Sequence, residues 1–363
     1  MREGGALVVG AAEQPPHQRC SQYFFGYLVR HGRILPTIRS RCGHHTNVND
    51  FFVVDARADR VGVLRDARLS SDPDGGAAGQ ANLLLMDGAA HRRLREVVKE
   101  VIALVEPLPA EVSTDIEDFV AGLATASSFD LVADFARPVA ARVTTAVLGA
   151  VEPLDGRLLT ALSETAANLD VWSGGAPPGA DLAALRVAMF FLKATAVEGG
   201  GLALLREAHD AGRVTEDELM LTPVMLAHAA YENSMNFLAL AGLGLVRRPR
   251  RPDGAEVRRL VQDIAPTRYA ARRVTGPLTV SEVEFGAGDK LAVPLGDGLA
   301  FGLGRHACPG SRVAVAEGEV ALRALSEVLT ASHVVGEVRH KTHPVFHGLE
   351  YAQVTRTSAA KCV

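Results

Sequence analysis

The sequence is poor in cysteine: four among 363 residues, Cys20, Cys42, Cys308 and Cys362. That is far too few to staple a chain of this size into a disulfide scaffold. An excess of one charge is also missing. The 38 Lys+Arg stand against 42 Asp+Glu, a formal net charge of −4, without the basic surplus expected of a nucleic-acid binder. No run reaches the roughly 18 apolar residues of a membrane-spanning helix. The apolar run near the N-terminus, residues 6–10, is too short for the core of a signal peptide. Neither internal repeats nor low-complexity segments occur. These absences point to a soluble, cytoplasmic protein with no nucleic-acid or membrane partner.

What is present is ordinary globular material, with 48% hydrophobic and 22% charged residues. Helical periodicity dominates. In residues 91–105, Leu94, Val97, Val98, Val101 and Ile102 recur at three-and-four spacing. The same pattern predicts helices over residues 113–124, 131–148, 182–197, 202–211, 216–247, 256–264 and 313–330. Residues 216–247 are long and apolar on most faces, as a central helix buried by its neighbours would be, with Pro223 expected to split off the first turn. Strand-like pieces are fewer: residues 51–55, 278–285, 291–294 and 344–351. The Pro/Gly-rich stretches at 72–79, 173–179 and 199–201 read as loops between helices. The expected class is mainly α with small β-sheets (α+β), one domain over 1–363, with residues 1–20 a flexible lead-in.

The chemistry concentrates in residues 301–310, F-G-L-G-R-H-A-C-P-G. Cys308 lies among glycines just before a long amphipathic helix. A helix N-terminus lowers a thiol's pKa, because the dipole and the unpaired N–H groups stabilise the thiolate. A thiolate so held can ligate heme iron. Gly302 and Gly304 permit a tight turn under a flat macrocycle, Gly310 lets the helix start pack against it, and Phe301 shields the sulfur.

This pattern resembles the heme-binding loop of the cytochrome P450 family, and the resemblance extends over most of the chain. It implies a single P450-like domain with heme b as cofactor and Cys308 as the axial ligand. Met86-Asp87 followed by residues 91–95 is similar to the family's third helix, which implies that His91 and Arg95, one helical turn apart, grip a heme propionate. Arg272 and His306 correspond to two further propionate partners. Together these make a coherent set for a dianionic ligand. Residues 52–54, 65–71, 130–135 and 344–349 also resemble family segments.

Two departures stand out. The family's oxygen-activating helix segment, Ala-Gly-x-Glu/Asp-Thr, reads here Ala229-Ala230-Tyr231-Glu232-Asn233-Ser234. Glu232 keeps the acid, while Asn233 replaces the alcohol that passes protons. An amide donates a hydrogen bond but relays no proton through a hydroxyl. Ser234 is about 100° further round the helix. Glu232 and Asn233 are the catalytic candidates, and Tyr231, Ala230 and Arg268 are the substrate-pocket candidates, Arg268 suiting an anionic group. The second departure is the family's Glu-x-x-Arg pair before the propionate strand. Its register falls on Arg259-Leu260-Val261-Gln262, and the Glu256/Arg259 pair lies one turn too early. Only residues 290–300 separate Asp289 from Phe301, too few for the meander that carries the third member of that charge network. Loss of all three together avoids the roughly 3–5 kcal/mol of an orphaned buried charge.

Arg305 and Arg312 flank the cysteine as candidate contacts for an acidic ferredoxin or as plain solvated arginines. Cys20, Cys42, His31, His44 and His45 match no standard zinc spacing. The expected activity is heme-thiolate monooxygenation of a small, largely apolar natural product in secondary metabolism, with a ferredoxin and reductase as electron donors. The alternatives are a heme-thiolate rearrangement, cyclisation or peroxide-driven step, and a non-catalytic relic.

Overall fold

The computed structural model describes residues 51–72, 81–152, 154–165, 180–329, 333–343 and 345–356. The expectations for residues 1–20, for the cysteine and histidine group before residue 50, and for most of the 72–79 and 173–179 loops lie outside them.

Helix Glu216–Arg247 (α8) organises the molecule. It begins at a capping box: Thr215 Oγ1 accepts from the Glu218 amide at 3.2 Å, and Glu218 Oε2 accepts from the Thr215 amide at 2.9 Å. Three acids in its first turn, Glu216, Asp217 and Glu218, complement the helix dipole. The helix runs unbroken past Pro223, against the expected split. A proline there removes one backbone bond, and apolar packing on nearly every side compensates for it. Around α8 lie helices Gly88–Ala103 (α2), Arg137–Leu148 (α4), Gly156–Thr165 (α5), Ala180–Lys193 (α6), Gly201–Asp210 (α7) and Ser311–Val328 (α10). Leu131, Phe135 and Val139 from one side and Leu322 and Leu325 from the other join Phe237 and Leu238 of α8 in one apolar core. The glycine triplet at 199–201 is where two connections touch. A Cβ on Gly201 would lie 2.3 Å from the Val147 carbonyl oxygen, so only glycine fits.

The sheets sit to one side. Strands Phe51–Val53 (β1), Leu69–Ser70 (β2), Tyr269–Val274 (β4) and Lys290–Pro294 (β7) form a four-stranded sheet in the order β1-β7-β4-β2, with β1 parallel to β7. Strands Ser128–Asp130 (β3), His333–His340 (β8) and Leu349–Arg356 (β9) form a second, in the order β3-β9-β8. The 278–285 stretch is a hairpin rather than one strand. Leu278–Val280 (β5) and Val283–Phe285 (β6) pair across Ser281 and Glu282, which turn the chain at φ of +50° and +64°. The strand expected at 344–351 starts only at Leu349, and β8 had no clear alternation to announce it. Helices Arg57–Arg65 (α1), which is short and contains Gly62, and α5 were likewise not anticipated. Helices Ala110–Gly122 (α3) and Gly254–Ile264 (α9) match the periodicity to within three residues at their ends. Among the described residues, no helix is long and apolar enough to cross a membrane.

Replacing Thr215 by Ala removes the cap that starts α8. It is expected to lower the unfolding free energy by about 1 kcal/mol, read as a lower urea midpoint at unchanged slope.

Candidate functional site

The loop from Phe301 to Gly310 lies between β7 and α10. The Cys308 amide donates to the Phe301 carbonyl at 2.7 Å, closing the loop on itself. Gly302 and Gly304 turn through the left-handed region at φ of +63° and +71°. A Cβ on Gly304 would stand 2.7 Å from the Leu64 carbonyl oxygen, so this glycine lets the loop press against α1. A Cβ on Gly310 would meet nothing within 4 Å. Gly310 therefore borders open cavity and makes no close packing contact. Cys308 is the one cysteine among the described residues, and it is free.

Cys308 opens onto a cavity of about 400 Å³. The residue has accessible surface and lines this cavity, and burial pushes the thiol's pKa up. The Gly310 amide and the Arg95 charge pull the other way without prevailing. The helix-terminus effect expected from the sequence is thus present and outweighed. A bound metal cation would reverse the balance, since coordination deprotonates a thiol.

His91, Arg95, Arg272, His306, Phe301, Gly302, Gly310 and Cys308 all line this one cavity. Arg272, on β4, is 7% exposed, and its Nη1 donates to the Ala271 carbonyl at 2.7 Å. Burial lowers its pKa to about 10, with Arg305 adding to the effect and Asp87 opposing it. Both ring nitrogens of His91 are buried without a hydrogen-bond partner, and burial, then His306 and Arg95, lower its pKa to about 4. His306 packs on it with ring centroids 4.4 Å apart and meets Asp87 at 3.1 Å. Arg95 turns to the Ala307 carbonyl. Among the described residues, Asp87 is the one carboxylate that these groups contact. Burial raises its pKa, but hydrogen bonds from His306 and Ser70 and the Arg305 charge outweigh that and hold it low. Buried Arg272, half-buried Arg95 and the unpartnered His91 line one cavity. Such a group of donors lacks negative charge and suits a dianionic ligand, and a cavity reaching from thiol to arginines suits a flat one. These residues therefore fit heme.

Other expectations fall elsewhere. Ala230 and Asn233 line the cavity, whereas Tyr231, Glu232 and Arg268 do not. Tyr231 is 1% exposed and belongs to the core; burial pushes its pKa up to about 12. Glu232 turns behind the helix. It accepts from Lys341 Nζ, from Asn236 Nδ2 at 3.1 Å and from Ser163 Oγ at 3.2 Å. Burial would raise its pKa, but the Lys341 charge and hydrogen bond keep it low. Arg268 directs Nε to the Phe346 carbonyl at 3.4 Å. Ser234 donates to Glu317 at 2.6 Å and so does not stand in for the missing alcohol. Arg305 is tied inward to Asp87 at 3.0 Å and to the Asp66 and Leu69 carbonyls, which removes it as a docking arginine. Arg312 is exposed and pairs with Glu106 at 2.7 Å.

The sequence reading gave no role to several polar residues in and behind this wall, and Gln262 lies behind it, outside the cavity lining. Gln262, at the register of the absent arginine, accepts from the Ala300 amide at 2.9 Å and so braces the cysteine loop. Glu256 instead pairs with Arg250. Thr267, Ser71, His228 and Glu317 line the cavity. An acid inside an apolar helical stripe was the one available signal for Glu317. His228 Nδ1 lies 3.3 Å from Thr165 Oγ1, whose own proton goes to the Leu162 carbonyl. The imidazole proton therefore sits on Nδ1, and Nε2 is an unpartnered buried acceptor.

Burial raises the pKa of Glu317 from 4.5 to about 8, against the Ser234 hydrogen bond. The folded state therefore keeps a proton that the unfolded chain loses, and this group's contribution falls as pH rises across that window. Glu317→Gln does not ionise. Its urea midpoint is expected to gain on that of the parent protein as pH is raised from about 4.5 to about 8, and parallel profiles would contradict the assignment.

No family model matches the chain. It is 27% identical over 335 residues to 6-deoxyerythronolide B hydroxylase of Saccharopolyspora erythraea, covering 76% of this chain and 82% of that protein. With the beta-dihydromenaquinone-9 omega-hydroxylase of Mycobacterium tuberculosis it shares 25% over 314 residues, 75% of this chain and 64% of the relative. The chain thus spans less than two thirds of that relative's length. The crystal structure of mycinamicin VIII C21 methyl hydroxylase from Micromonospora griseorubida, bound to mycinamicin VIII, superposes with a TM-score of 0.71 at 20% identity. That match covers 94% of this chain and 96% of the other, and it establishes the fold. In loop, fold and sequence the chain is similar to bacterial cytochrome P450s, among them cytochrome P450 GfsF of Streptomyces halstedii at 24% identity over 367 residues, 84% of this chain and 86% of that protein.

Proposed function

We propose that the chain is a heme-thiolate monooxygenase that tailors a small, largely apolar natural product. The observation that carries this reading is the convergence of Cys308, His91, Arg95, Arg272 and His306 on one cavity, with too few anions to match the cations. Cys308 would be the axial ligand, and the two arginines and two histidines would hold the propionates. Thiolate-ligated heme supplies dioxygen activation for inserting one oxygen atom into an unactivated bond. The chain's own part is to seat the group, exclude water and position the substrate. Leu83, Leu85, Val98, Ile102, Val143 and Met225 line the space with apolar surface, which selects an apolar guest and keeps bulk water out. Two relatives are named as hydroxylases of 6-deoxyerythronolide B and of mycinamicin VIII, which supports a substrate of secondary metabolism. A ferredoxin with its reductase would supply the electrons, with Arg312 at the exposed margin, and the protein would work in the cytoplasm.

A second reading, a heme-thiolate rearrangement or peroxide-driven step, is favoured by Asn233, whose amide oxygen is occupied by Thr267 and which has no relay hydroxyl of its own. Turnover without any reductase would decide for it, and strict dependence on a reduced ferredoxin would decide against it.

The purified protein is expected to show the red-shifted Soret band of a thiolate-ligated ferrous carbonyl. Cys308→Ser should abolish that band and turnover together, and survival of both would overturn the proposal. Arg272→Leu should keep the band but release heme to an acceptor protein at least about tenfold faster. That is the effect of losing one charge-assisted hydrogen bond of about 1.5–3 kcal/mol.

A further inference from the structure

Between Thr222 and Ala239, the central part of α8 is buried except at Ala229, Ala230 and Asn233. These three share one helical face, and all three line the cavity. Asn233 is the polar member, and its carboxamide is held at both ends. Nδ2 donates to the Ala229 carbonyl at 3.1 Å, and Oδ1 accepts from Thr267 Oγ1 at 2.7 Å. The opposite amide orientation would set Oδ1 against the Ala229 carbonyl, so the orientation follows from the bonds. Thr267 comes from the loop after α9, and it too lines the cavity. Its backbone is braced on both sides. It bridges to Phe346, the His347 amide donates to the Pro266 carbonyl at 2.7 Å, and the Arg268 amide donates to the Val345 carbonyl at 2.8 Å.

The remaining hydrogen-bonding capacity is specific. A carboxamide carries two N–H donors, and a hydroxyl carries one donor and two lone pairs. After the two bonds above, Asn233 keeps one N–H. Thr267 has given away its proton and keeps only acceptor positions. The pair therefore offers one donor and one acceptor side by side in a lining that also contains Ala229, Ala230, Leu226, Leu295, Phe346 and the buried His228. A carbonyl or an ether engages only the Asn233 donor. A carboxylate would confront the Thr267 lone pairs. A hydroxyl satisfies both, accepting from Asn233 Nδ2 and donating to Thr267 Oγ1.

The geometry points to the Thr267–Asn233 pair as the docking point for a hydroxyl group on an otherwise apolar substrate, with Thr267 as a specificity-determining residue. The inference deepens the proposed function and rests on it in taking this cavity as the substrate chamber. The substrate class becomes an apolar alcohol, and its hydroxyl is the anchor rather than the atom that reacts.

The test uses a matched pair of probes, menthol and its methyl ether, which differ in the proton given to Thr267. The holoprotein is titrated with each by calorimetry, and heme content and the carbonyl band are recorded separately. The parent protein is expected to bind menthol about tenfold more tightly than the ether, the effect of one net hydrogen bond. Thr267→Val, close in shape and without the oxygen, should bring the two affinities together by weakening menthol alone. Thr267→Ser should retain the preference. Equal affinities in the parent protein, no binding of menthol, or a preference that survives Thr267→Val would each overturn the inference. A shifted carbonyl band in Thr267→Val with menthol binding unchanged would overturn it as well. A protein that takes up no heme yet still prefers menthol contradicts the proposed function and leaves the docking pair standing.

Discussion

The constraint on which this structure depends is the burial of positive charge without matching negative charge. Arg272 and Arg95 are drawn into the interior at a cost in hydration that lowers the pKa of both, and His91 is kept neutral beside them. Removing ions from water is expensive unless something of opposite sign meets them. Within the protein, Asp87 meets only part of that need. The rest is left to whatever occupies the cavity. The fold is arranged to hold that imbalance in place: β4 carries Arg272, α2 carries His91 and Arg95, and the loop before α10 carries His306 and Cys308.

The missing charge network behind the cysteine loop follows the same logic in reverse. At the register where the resemblance implies the arginine of the Glu-x-x-Arg pair, this chain has Gln262, which is neutral and accepts from the Ala300 amide. A neutral amide needs no counter-ion, so the short connection from β7 to the loop leaves no buried charge stranded. On the other face of the cavity, Thr267 donates to Asn233 across two elements. The two departures noticed in the sequence are therefore both repaired locally by hydrogen bonds between uncharged groups.

Much of the site was legible because its parts sit at fixed spacing on single elements. Cys308 and His306 share one loop, and His91 and Arg95 share one helical face, so each pair is visible in one dimension. The long helix was legible to its ends because its body is apolar on most of its faces, although Pro223 does not split off its first turn. The misreadings arose where direction mattered. Tyr231, Glu232 and Asn233 are consecutive, and about 100° per residue sends each to a different environment: core, charged network and cavity. The hairpin at 278–285 looked like one alternating strand, because a two-residue turn through positive φ preserves alternation on both sides.

The sequence by itself carried the P450-like motif, the helical class and the candidate thiol. Those follow from a ten-residue motif and a 3.6-residue period, which are local properties of the chain. Only the tertiary structure decided which polar groups face the cavity, that Glu232 pairs with Lys341 more than a hundred residues away, and that Thr267 meets Asn233. It also decided the state of Cys308, where burial outweighs the helix terminus that the sequence had displayed. Partners and desolvation are set by what surrounds a residue in space, and the order of residues along the chain does not carry that information.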